Sequence, residues 1–103
     1  MKIIESVEEY DALLGETKSV FVDFYADWCG PCKMLGPVVE ELANENPDVT
    51  FIKVNVDDTP EIAQRYGIMS IPTLISFKDG KVAAQTMGFQ PKEALMPLVA
   101  AVK

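Results

Sequence analysis

Ser19-Val20-Phe21-Val22-Asp23-Phe24-Tyr25-Ala26-Asp27-Trp28-Cys29-Gly30-Pro31-Cys32-Lys33-Met34-Leu35 is the stretch that decides the fold. Ser19 to Ala26 is nearly continuous in apolar residues, as in a strand buried on both faces of a sheet. Beyond Cys32 the period changes. Leu35, Val38, Val39, Leu42 and Ala43 mark one apolar face of a helix, which Asn46-Pro47-Asp48 stops. Both cysteines of the chain sit at this strand-to-helix junction. Their spacing lets them close a disulfide within one helical turn, and the junction gives Cys29 a helix N-terminus for company. A structural staple is the rival reading, but a cross-link that closes so short a loop removes little entropy from the unfolded chain. Redox chemistry is the stronger one.

The segment also assigns roles. A thiolate attacks disulfides, whereas a free thiol, with a pKa of about 8.5, is mostly protonated at neutral pH. Unpaired N–H groups and the helix dipole favour an anion at Cys29, and Lys33 adds positive charge one turn on. Cys32 follows on the same side of the helix and is expected one turn deeper, placed to attack a mixed disulfide formed at Cys29. Cys29 is therefore read as the attacking thiol and Cys32 as the resolving one. Gly30 and Pro31 tune the pair, because Pro31 suits a first helical turn and its missing N–H leaves one donor fewer. Asp23 is the lone charge in its apolar run, and burial there would raise its pKa. It reads either as a proton acceptor beneath the cysteines or as a strand residue that is solvated or paired with Lys53. Pro37 cannot donate to the Lys33 carbonyl, so a bend is expected there.

Working outward, Lys2 to Ile4 reads as a short strand. Ser6-Val7-Glu8-Glu9 reads as a capping box opening a helix over 7–14, with Gly15 as its C-terminal cap. Thr50 to Val56 alternates as a strand does, with Ile52 and Val54 on one face and Phe51 and Lys53 on the other. Asp58-Thr59-Pro60-Glu61 opens a short helix ending at Gly67. Thr73 to Phe77 and Val82 to Met87 form antiparallel strands joined through Asp79-Gly80, and a last helix from about Pro91 carries Leu95, Leu98, Val99 and Val102, with Pro97 as a second expected kink. The elements make one α/β domain over residues 1–103, with helices for both faces of a mixed sheet.

The 103 residues carry 9 Lys and Arg against 16 Asp and Glu, a net charge of -7, which disfavours nucleic acids and anionic membranes as partners. With no histidine, imidazole metal sites and Cys-His or Ser-His-Asp catalysis lack a required part. Two cysteines cannot complete a structural zinc site, so no metal is expected. Met1-Lys2-Ile3-Ile4-Glu5 does not read as a signal peptide, and no apolar run is long enough to span a membrane. A cytoplasmic monomer is the expectation.

Val22 to Lys33 resembles the active-site segment of the thioredoxin family. Ile71-Pro72-Thr73 resembles that family's cis-proline segment, Phe77-Lys78-Asp79-Gly80 its hairpin, and Gly88 its glycine after the last strand, so the likeness runs along nearly the whole chain. It implies the thioredoxin fold, a central mixed sheet of about five strands flanked by four helices. It further implies a protein-disulfide reductase that binds no cofactor and is recharged by a flavin-containing thioredoxin reductase drawing electrons from NADPH. Asp23 and Lys53 match the family's buried Asp and nearby Lys. Trp28, Gly30, Pro31, Ile71, Pro72 and Gly88 would form the surface for protein disulfide substrates, Ile71 lending backbone groups to an extended chain. Tyr25 departs from the pattern, standing where most members carry a second Trp.

Two rivals share the fold. Oxidases and isomerases place a His between the cysteines, a charge that Gly30-Pro31 does not supply. A binding subunit would use the apolar patch around Trp28 without electron transfer, and an intact cysteine pair argues against that as its sole role.

Overall fold

The computed structural model describes residues 1–103. Its elements are β1 (Lys2–Ile3), α1 (Val7–Glu16), β2 (Ser19–Tyr25), α2 (Gly30–Glu45), β3 (Thr50–Asn55), α3 (Pro60–Arg65), β4 (Thr73–Lys78), β5 (Lys81–Met87) and α4 (Lys92–Ala100). The strands form a single five-stranded sheet in the order β1-β3-β2-β4-β5. β3 runs parallel to both β1 and β2, while β4 is antiparallel to β2 and to β5.

Side-chain alternation across the pleat builds two cores from this one sheet. Phe21, Phe51 and Leu74 meet Leu35, Val39 and Leu42 of α2 and Leu95 and Val99 of α4 on one face. Val20, Val22, Phe24, Ile52, Val54 and Ile75 meet Tyr10 of α1 and Ile62 of α3 on the other. β2 is buried on both faces, as its apolar run requires.

Local chemistry sets most element ends. Ser6 caps α1, its hydroxyl accepting from the Glu9 N–H at 3.1 Å, while the Glu9 carboxylate accepts from the N–H of Glu5 at 2.7 Å. Asp79 and Gly80 both take positive φ, 53° and 80°, the geometry of a two-residue hairpin turn. α1 departs from expectation. It runs through Gly15 to Glu16 and is closed by Thr17 in an extended conformation, φ -119° and ψ 124°. The chain must enter β2 at Ser19, so an extended residue ends the helix where a left-handed glycine was expected.

The topology gathers the chemistry at one end of the sheet. β2 and β3 end there, at Tyr25 and Asn55. Antiparallel β4 begins there, Thr73 pairing with Phe24, and β5 returns there, Met87 pairing with Thr73. The CxxC loop, Pro72 and Gly88 therefore converge although they are far apart in sequence.

Leu35 fixes α2 to the sheet and is fully buried. Leu35→Ala should cost about 2–5 kcal/mol. The urea midpoint should fall with the slope unchanged, and a midpoint within error of the parent would contradict this packing.

Candidate active site

Cys29 is the N-cap of α2, with extended backbone at φ -87° and ψ 111°. Its Sγ accepts the Cys32 N–H at 3.2 Å, and its carbonyl accepts the Lys33 N–H at 3.2 Å. The two sulfurs are joined as a disulfide across a Cα–Cα distance of 5.2 Å. Both cysteines are buried, Cys29 4% exposed and Cys32 6%, so the expected deeper seat of Cys32 is not seen. In the disulfide the two sulfurs are one unit, which leaves little room for a difference in depth. Gly30 and Pro31 are exposed in the first turn, with Pro31 where its absent N–H costs the helix nothing.

The Ile71-Pro72 bond is cis, and the Ile71 carbonyl oxygen lies 3.8 Å from Cys29 Sγ. Neither the N–H nor the C=O of Ile71 has a backbone partner. Gly88, at φ +80°, donates its N–H to the Pro72 carbonyl at 2.8 Å, tying the end of β5 to the proline loop. Of the expected contact surface, Ile71 and Gly88 are half-buried and Pro72 is buried, so its ring supports the loop from within. Trp28 is 71% exposed, and its indole Nε1 donates to Asp57 Oδ2 at 2.9 Å. Asp57 was not singled out from the sequence. It lies 29 positions from Trp28, and the only local sign is its place just past the end of β3, where its N–H donates to the Asn55 side chain at 2.9 Å. Met34, Met69, Met87 and Phe89 are also exposed, and a groove of about 140 Å³ runs between Trp28, Ile68, Met69 and Ile71.

Asp23 points to the face that α2 covers and is 2% exposed, with Oδ1 lacking any hydrogen-bond partner. Burial raises its pKa from 3.8 to about 6, against a smaller downward pull from Lys53. Lys53 stands opposite Asp23 in the β2–β3 register. The expected ion pair does not form: the ammonium sits over the Tyr25 ring, 4.3 Å from its centroid. The side chain is long enough to pass Asp23 and reach the wetter end of the strand. Lys33 is exposed, and with Lys53, Asp27 and Cys32 it lines a cavity of about 400 Å³ beside the cysteines. The largest cavity, about 670 Å³ between Asp11, Lys18, Arg65 and Gly80, lies at the opposite end of the sheet and has no part in this site.

A cysteine pair capping a helix at the carboxyl end of a mixed sheet, beside a cis-proline loop, is the working part of a thiol-disulfide oxidoreductase. The Thioredoxin family model matches residues 2–101. The chain is 54% identical over 99 residues to thioredoxin of Mycoplasmoides gallisepticum, covering 96% of this chain and 99% of that one. It is 46% identical over 100 residues to thioredoxin of Bacillus subtilis, covering 96% of each. Among solved structures, Plasmodium falciparum thioredoxin superposes over 100% of both chains with a TM-score of 0.94 at 35% identity. The chain belongs to the thioredoxin family.

Because folding raises the Asp23 pKa, the folded state binds a proton more tightly than the unfolded one between pH 3.8 and about 6. Stability therefore falls as pH rises through that window, by about 2–3 kcal/mol for this group, and the cost persists above it. Asp23→Asn should be more stable than the parent at pH 7.5, with the gain shrinking as pH falls from about 6 to 3.8 and lost below that. Urea denaturation across this range checks it, and equal stability at both ends would contradict the buried carboxylate.

Proposed function

We propose that the chain is a protein-disulfide reductase in which Cys29 attacks and Cys32 resolves. The observation that carries this reading is the N–H of Cys32 directed at Cys29 Sγ across the helix cap, a donor that favours a thiolate there once the pair is reduced. The Cys29 thiolate attacks one sulfur of a substrate disulfide. That S–S bond breaks, a mixed disulfide forms, and the other substrate sulfur leaves as a thiolate. Cys32 then gives up its proton and attacks Cys29 Sγ, restoring the Cys29–Cys32 disulfide and releasing the second substrate thiol. Two electrons have passed to the substrate.

Asp23 is the proposed acceptor of the Cys32 proton. With a pKa raised to about 6 it is mostly ionised at neutral pH, yet basic enough to take a proton. Burial sets that basicity, and the Lys53 charge moderates it. Trp28, Gly30, Pro31, Ile71 and Gly88 form the docking face, with Ile71 N–H and C=O free to pair with an extended substrate and Pro72 shaping their loop from beneath. The pair is recharged by a thioredoxin reductase passing NADPH electrons through a flavin. The setting that suits this cycle is a reducing cytoplasm, with the chain acting as a monomer on protein disulfides. No helix is long and apolar enough to cross a membrane.

Cys32→Ser should accumulate a mixed disulfide with a protein substrate and lose turnover, whereas Cys29→Ser should form no adduct. Mass spectrometry of the trapped species checks both. An adduct on Cys32 of the Cys29→Ser chain, formed as fast as the parent reacts, would reverse the assignment.

Equilibration in graded thiol-disulfide buffers, read by Trp28 fluorescence, should place the couple well below the roughly -180 to -210 mV of an oxidising secretory compartment. A value at or above that range would make the chain an oxidant, and turnover of a reductive kind would be abandoned.

A further inference from the structure

Asp23, Tyr25 and Lys53 share the face of the sheet covered by α2, Asp23 and Tyr25 as alternate residues of β2 and Lys53 opposite Asp23 on β3. A buried carboxylate with an empty Oδ1 is a strong draw for a cation on the neighbouring strand. Lys53 nevertheless makes no ion pair with it, and its ammonium rests on the Tyr25 ring at 4.3 Å from the centroid. A ring face attracts a cation, and two residues further along the strand it offers a seat beside the cavity that Lys53 lines. Tyr25 is half-buried and lines that cavity as well.

We propose that Tyr25 is a positioning residue, its ring holding the Lys53 ammonium clear of Asp23 so that the carboxylate remains basic enough to accept a proton. The proposal rests on the reading of Asp23 as proton acceptor for its consequence in the reaction, but not for the geometry itself. Other charged groups near the trio are Asp27 between β2 and α2, Lys33 on α2 beside Cys32, and Asp58 ahead of α3. β4 brings only Leu74 opposite Asp23. Lys53 is thus the one cation placed to reach Asp23 along the sheet, and the ring is what competes for it. Were the ring absent, the ammonium would swing to the empty Oδ1 and strengthen the acid.

The test is a direct titration of the Asp23 carboxyl by carbon-13 NMR in the full chain, comparing the parent with Tyr25→Phe, Tyr25→Leu, Lys53→Met and the double variant Tyr25→Leu/Lys53→Met. Tyr25→Phe keeps the ring and should titrate as the parent does. Tyr25→Leu should titrate about 1 pH unit lower, the effect of bringing an opposite charge into contact. In the Lys53→Met background the same loss of the ring should produce no downward displacement. An unchanged or raised Asp23 titration in Tyr25→Leu overturns the proposal, as does a downward displacement that survives without Lys53 or appears equally in Tyr25→Phe. The pH profile of mixed-disulfide resolution, followed in parallel, separates the two ideas. A displaced titration with an undisplaced profile keeps Tyr25 as the anchor of Lys53 and removes Asp23 from the proton transfer.

Discussion

A helix that begins soon after a strand has ended leaves N–H groups without partners, and in this chain a sulfur answers one of them. Cys29 Sγ accepts the Cys32 N–H at 3.2 Å, in the place where Ser, Thr or Asp usually caps a helix. A thiol is a poor acceptor and a thiolate a good one, so the cap and the proposed nucleophile make the same demand on the residue. The arrangement depends on the abrupt turn after β2. That turn holds only because β2 is clamped between β3 and β4 and buried on both faces, and because α2 is packed onto the sheet through Leu35, Val39 and Leu42. Core packing along α2 thus fixes the angle at which the helix presents its first turn.

The same burial sets the character of Asp23. An exposed carboxylate would be ionised throughout the physiological range and too weak a base to matter. One sealed among apolar residues without any cation near it would stay protonated. Asp23 lies between these limits, with a pKa of about 6, because desolvation pushes up and the Lys53 charge pulls down less strongly. Its folded state carries a stability cost at neutral pH that a neutral isostere would not. A group held at such cost in a strand otherwise composed of core residues is more readily explained by chemistry than by folding.

Much of this was legible in the sequence wherever local chemistry decides structure. The apolar run ending in the CxxC, the Ser6 cap, the positive-φ pair Asp79-Gly80 and the periodicity of α4 each specify their element within a few residues. Gly15 misled because the end of α1 is set by where β2 must begin, a tertiary demand that an extended Thr17 meets. The cis Ile71-Pro72 bond came from family resemblance, since an X-Pro pair alone does not announce its isomer. The Trp28–Asp57 hydrogen bond and the seat of Lys53 on Tyr25 were out of reach for another reason: both depend on side chains meeting across strands and loops, which periodicity does not encode.

The proposed docking face follows from the same division between backbone and side chain. Ile71 keeps both backbone groups without a backbone partner, while the Gly88 N–H is already committed to the Pro72 carbonyl, so the proline loop is held rigid and only its outer edge is open. Recognition through such an edge reads an extended main chain and is nearly blind to sequence. For a reductase of the kind proposed, that suits the diversity of disulfides it must meet. Discrimination then falls to the side chains around the edge: Trp28, oriented by Asp57, and the exposed Met69 and Met87, whose unbranched thioethers can adapt to unlike neighbours. Backbone pairing near the reactive sulfur with pliable apolar contact around it favours brief binding over tight binding. A carrier that must release each client after one exchange needs that balance.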